Sequence, residues 1–199
     1  MSRYFPHTEY AEDQPLSRTI LGVHVLTRGY TTGAVVGLGV ASVGGLYHRL
    51  RGSAKTVPVT ASPATASALR TTVLTRLLRT TGTASAVGVG LMGLALAGRM
   101  RGREDIEWRD RSWRLMENRG QLETDDWTYG GAAAGLVAFG VWQRAAAKGA
   151  AVGGWRVVAG AAGLGSVVGT VGYMVWRYGV HSGKFPEYAA VEETALGKI

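Results

Sequence analysis

Four runs of this chain contain no Asp, Glu, Lys or Arg: 29–47, 80–98, 127–143 and 157–176. Each is roughly 17–20 residues, or about 26–30 Å as a helix, close to the hydrocarbon thickness of a bilayer. Arg28, Arg79 with Arg99, Asp126 with Arg144, and Arg156 with Arg177 bound them. The pattern predicts an all-α membrane protein with four transmembrane helices. Residues 1–28 then form an N-terminal segment, 29–179 the membrane domain with a central loop at 99–126, and 180–199 a C-terminal tail. The competing reading is a soluble Ala/Gly-rich helical bundle.

Small residues recur at every fourth position inside the runs. The first carries Gly29, Gly33, Gly37, Ala41 and Gly45, and the second Gly82, Ala86, Gly90 and Gly98. The third carries Gly131 and Gly135, and the fourth Ala161, Gly165 and Gly169. Small residues four apart let membrane helices meet backbone to backbone, where van der Waals packing replaces the missing hydrophobic drive. A Gly-rich, close-packed bundle is expected, with stripes left over that could face a larger partner. The 30 glycines fit this better than a soluble bundle, since each costs about 1 kcal/mol against Ala in a water-exposed helix.

Two further stretches are amphipathic. Ser62 followed by Pro63 signals a helix start, and Leu69, Val73 and Leu77 continue at spacing four, so 63–79 lengthens the second helix beyond the membrane. In the central loop Ile106, Trp113 and Met116 share one helical face, and Gly120 is the expected stop. That helix is expected to lie on the membrane surface or on a partner. Trp127, Tyr129, Trp142, Trp155, Trp176 and Tyr178 stand at span ends, where aromatic belts occur.

Charge sets the orientation. The segments 48–79 and 144–156 hold bases and no acid, whereas acids match bases in the N-terminal segment, central loop and tail. The positive-inside rule puts the two basic loops on the cytoplasmic or matrix side and both termini opposite. The net charge of +8 therefore reads as topology and attraction to anionic lipid rather than nucleic-acid binding. Arg49, Arg51, Arg70, Arg76, Arg144, Lys148 and Arg156 are the candidate contacts to lipid phosphates, with topology alone as the plainer account of each.

No catalytic constellation emerges. Gly88, Gly90 and Gly93 match a dinucleotide fingerprint formally, but inside an apolar helix and after no strand. His7, His24, His48 and His181 lack metal-ligand spacing. The absence of Cys removes thiolate chemistry and disulfides. Residues 1–18 have neither the apolar core of a signal peptide nor the acid-poor character of a mitochondrial presequence, so internal targeting is expected. No catalytic residue, metal, cofactor or small-molecule substrate is expected.

One pattern crosses the central loop. Trp108 is followed after ten residues by Arg119, after three by Glu123, after six by Gly130-Gly131, and after three more by Gly135. This resembles the signature of the mitochondrial Tim-type family of preprotein and amino-acid transporters: an aromatic, an Arg, an Asp and a Gly-Gly-x-x-x-Gly helix start. Glu123 replaces the Asp, and Asp105 departs from a small residue. Within the family the chain is most similar to Tim-like accessory subunits of respiratory complex I, because the import translocases often carry Cys pairs that are missing here. The resemblance implies a multi-pass subunit of the mitochondrial inner membrane, with termini in the intermembrane space and basic loops in the matrix. It further implies a non-catalytic role in assembling and stabilising the membrane arm. The implied partners are core and accessory subunits of that arm and phospholipid such as cardiolipin. The alternatives are a Tim-type translocase or solute channel, which needs a polar concave face, and an unrelated membrane scaffold.

Overall fold

Pro15 and Leu16 turn the chain out of a short N-terminal segment and into the first long helix. Leu16 does so with φ at 53°, a left-handed conformation that residues with a Cβ rarely adopt. The computed structural model describes residues 5–52, 63–146, 153–183 and 185. Among these described residues five helices follow one another: α1 (Ser17–Gly52), α2 (Pro63–Met100), α3 (Asp105–Glu117), α4 (Arg119–Ala146) and α5 (Trp155–Met174). A π turn, Val175–Val180, continues α5, and no strand occurs among the described residues.

The helices outrun the charge-free segments. α1 starts at Ser17, twelve positions before 29, because no Pro or paired Gly interrupts the sequence from Arg18 to Arg28. α2 includes the whole amphipathic stretch from Pro63; Ser62 lies outside the described residues. The central loop is mostly helical. Gly102, at φ 71°, turns the chain from α2 toward α3, and α3 ends at Glu117 rather than at Gly120, which stands in the first turn of α4.

Among the described residues, three helical stretches are long and apolar enough to cross a membrane: Ser17–Tyr47, Leu69–Met100 and Trp155–Val180. The expected fourth span, in α4, falls short. Its run at 127–143 is free of charge, but Gly, Ala, Thr, Tyr and Gln supply much of it and Asp125 and Asp126 precede it. Freedom from charge is a weaker condition than apolarity. The helices also form a less symmetric arrangement than a closed bundle. α1 packs along α2 and α4 along α5, and α5 joins the two pairs by also touching α2 and α1. Leu78, Val157 and Ala161 make the small buried core at this junction, flanked by Leu74, Phe139 and Leu164.

α3 spends its apolar face on its own chain. Met116 is buried, Trp113 donates its indole N–H to the Thr8 carbonyl at 2.9 Å, and Arg109 donates to the Glu12 carbonyl at 2.6 Å. Gln14, only 2% exposed, ties this segment together: its amide nitrogen donates to the Pro6 carbonyl at 2.8 Å and its oxygen faces Thr8 and His7. Arg18 pairs with Asp105 at 2.5 Å beside it. Ile106 alone of the predicted face stays largely exposed. Replacing Gln14 with Ala is expected to release residues 5–15 from α3, at about 1–3 kcal/mol for the buried groups left unsatisfied. Amide exchange should then accelerate across that segment and stay unchanged in α2 and α5; equal protection in both proteins would contradict the role given to Gln14.

Candidate helix-packing interface

Glycines bring the helices into backbone contact. A Cβ built on Gly29 would stand 2.7 Å from the Gly88 carbonyl oxygen, and one on Gly37 would stand 2.7 Å from the Thr81 Cα. Gly33, between them, meets the backbone of Ala84 and Ser85 even more tightly. The partners run in opposite order, so α1 and α2 are antiparallel over this contact. α4 and α5 repeat the device: Gly131 faces Gly165 and Gly169, Gly135 faces Ala161 and Gly165, and Gly169 faces the Trp127 carbonyl. A third contact joins α2 to α5, where Gly82 meets the Arg156 carbonyl and Gly160 meets that of Leu78. In each case the nearest obstructing atom is backbone, which cannot rotate away.

Not every small residue of the pattern lies on a contact face. Gly45, Gly90 and Gly130 have nothing within 4 Å of a would-be Cβ, and Ala41 is half-buried. The sequence pattern passed over Gly160 and Gly163, and Gly88 drew notice only within the false dinucleotide match. Gly163 sits against Ala34, Thr81 and Ser85, so a residue of α5 fills the groove between α1 and α2. Around it Thr81 and Ser85 are fully buried and Thr31 nearly so, and their hydroxyls lack hydrogen-bond partners. Other hydroxyls are paired: Thr128 and Thr170 bond each other at 2.9 Å across α4 and α5, and Ser166 donates to the Gly163 carbonyl.

A polar clamp closes the interface at one end. Asp125 of α4 is buried between two residues one turn apart on α1. His24 Nδ1 lies 3.0 Å from one carboxylate oxygen and Arg28 Nη2 2.9 Å from the other, close enough to pair though not aligned as a hydrogen bond. Arg28 also donates to Gln121 Oε1 at 2.9 Å. The Thr27 and Tyr129 hydroxyls bond each other one turn deeper. On the far side of α4, Glu123 lies 3.8 Å from Arg177, which the π turn carries and which donates to the Tyr173 hydroxyl at 2.7 Å. Glu123 thus reaches α5's extension. His24 and Arg28 were missed as partners of Asp125, although their spacing of four marks a shared face.

Trp108, at the start of the predicted signature, is half-buried on α3 with the Arg18 guanidinium 5.6 Å from its ring centre, and Arg119 opens α4. Of the candidate phosphate contacts, Arg51, Arg70, Arg76, Arg144 and Arg156 are exposed. The Arg49 side chain and Lys148 lie outside the described residues. Arg51 stacks on Tyr47 and Arg156 on Trp155. His7 lies 2.7 Å from Glu117, and His181 packs on Trp176. No three His, Asp or Glu side chains gather as a metal site among the described residues.

Two grooves flank the packed helices. The larger, about 1030 Å³, has α5 as its floor and α2 and α4 as its walls. Leu74, Leu78, Phe139, Trp142, Leu164 and Val168 line it, with Asp126 at one end. The smaller, about 610 Å³, follows the seam of α1 and α2. Compared with known proteins, the chain matches no family model, no curated protein and no solved structure.

Proposed function

We propose that this chain is a non-catalytic, membrane-embedded accessory subunit resembling the Tim-like subunits of mitochondrial complex I. In this reading it stabilises the membrane arm and helps assemble it through helix packing and lipid contacts. The observation that carries the reading is the character of the concave face. The groove enclosed by α2, α4 and α5 is apolar along its length and open to the side, which suits a neighbour's helix or acyl chains. A translocation path needs water and polar walls at that depth. The hydroxyls that could have supplied them point elsewhere: Thr81, Ser85 and Ser166 are buried between helices, and Thr32 and Thr83 line the seam on the other groove. The span signature from Trp108 to Gly135 supports the family part of the reading. α4 supplies the fourth crossing in it, carried through the bilayer by its contact with α5.

Gently solubilised mitochondrial membranes separated on a native gel test this directly. The chain is expected in stoichiometric amount in the band with NADH dehydrogenase activity, and its deletion is expected to stall membrane-arm assembly while protein import continues. Migration with import components, or ion or peptide conduction by the purified chain in liposomes, would establish the translocase reading instead.

A further inference from the structure

Arg79 and Arg156 share one end of the α1–α2 seam, although they belong to different helices. Arg79 stands within the apolar stretch Leu69–Met100, and Arg156 is the second residue of Trp155–Val180. Cations at such depth are costly unless they reach an anion or snorkel to the interface. No Asp or Glu lines this groove, and neither arginine has an acidic partner among the described residues. Thr80 and Thr83 stand beside them, and Thr83 donates to the Arg79 carbonyl at 2.8 Å.

From this cationic end the groove continues as an apolar trough. Val36, Val40, Val87 and Leu91 form its rims, and all four are more than half exposed. Its floor is the backbone, because Gly33, Gly37 and Gly88 bring α1 and α2 into contact. Two guanidiniums at the mouth of a long apolar trough make a shape and charge match for a phosphate headed by an acyl chain. An acidic protein helix would match the cations but would not need the trough to start at them.

We propose that the seam of α1 and α2 binds one anionic phospholipid from the leaflet on the basic-loop side, its phosphate between Arg79 and Arg156 and an acyl chain along Val36, Val40, Val87 and Leu91. The proposal rests on the membrane-embedded part of the function proposed above and is independent of which complex holds the chain. Arg79 was not among the candidate phosphate contacts of the sequence; the structure brings it to the same groove as Arg156, across α2 and α5.

The test uses the full chain, purified in detergent and stripped of lipid, with native mass spectrometry during titration of dioleoyl phosphatidylglycerol or dioleoyl phosphatidylcholine. One phosphatidylglycerol is expected to be retained in preference to phosphatidylcholine. The double variant Arg79→Gln/Arg156→Gln is expected to weaken phosphatidylglycerol at least tenfold, while Arg70→Gln/Arg76→Gln changes it less than twofold. Val87→Trp, which fills the trough and spares both charges, is expected to weaken the lipid as well. Equal losses in the two double variants would reduce the effect to general surface charge and overturn the site. Inorganic phosphate binding as tightly as the lipid, with no response to Val87→Trp, would make the ligand a free phosphate and overturn it too. A drop in melting temperature in either variant is checked with Arg79→Lys/Arg156→Lys, which keeps the charges; loss of lipid preference in that folded variant would also count against the proposal. The native gel reads the assignment to a complex separately, so either conclusion can fail alone.

Discussion

Substituting Gly160 with Leu is expected to part α5 from α2. A Cβ at this position would already overlap the Leu78 carbonyl and lie within 3 Å of that residue's Cα, so a branched side chain forces the axes apart. Overpacking of a tight interior typically costs about 1–3 kcal/mol and more where nothing can yield. Here the obstruction is main chain, and Leu78 belongs to the buried apolar cluster at the junction. The expected result in detergent is a melting temperature lowered by several degrees or a chain that no longer folds, with rapid proteolysis between α2 and α5. Gly90→Ala is the matched control: nothing lies within 4 Å there, so its effect should stay within about 1 kcal/mol. If the two variants melt together, close backbone approach is not what joins these helices.

Asp125→Ala is the second large effect. It strips Arg28 and His24 of the carboxylate they share, and the Asp125 side chain is only 5% exposed. Removing one member of a buried ion pair costs about 3–5 kcal/mol, because the other charge stays behind unpaired, whereas replacing both by apolar residues can be nearly neutral. Asp125→Leu combined with Arg28→Met should therefore recover most of the loss seen in Asp125→Ala. Thermal unfolding of the two variants checks this. A double variant no better than the single one would show that the clamp acts through some other contact, such as Gln121.

What was legible in the sequence was the part written in local periodicity. Charge-free runs located every long helix, and spacing-of-four glycines marked the face on which α4 meets α5. Helix ends were legible only in part: Ser62-Pro63 marked the start of α2 at Pro63, but no such signal marked the first turns of α1, which contact residues far along the chain, Asp105, Gln121 and Asp125. Gly45 obeyed the same spacing as its packed neighbours, yet two helices that cross at an angle touch for only a few turns; Gly90 lies between Gly88 and Met92, which do touch α1, but on another face of α2. Gly160 and Gly163 broke the spacing because α5 shows different faces to α2, to α1 and to α4. The amphipathic face of α3 was expected to lie on the membrane surface or on a partner, and the chain's own first residues cover it instead; periodicity carries no information about which of these the cover is. Gln14 and Met116 answer it here.

The central place of α5 has a consequence for the order in which the chain is made. A protein synthesised from its N-terminus can complete the α1–α2 pair early, since both members are apolar enough to enter a bilayer alone. α4 is not, and the helix it packs along comes after it. In the four-crossing arrangement proposed above, the second half has to wait at the surface until Trp155–Val180 has emerged, and enter as a hairpin whose later arm carries the earlier one in. A chain cut short before Trp155 would strand α4 outside and leave the first pair unlocked.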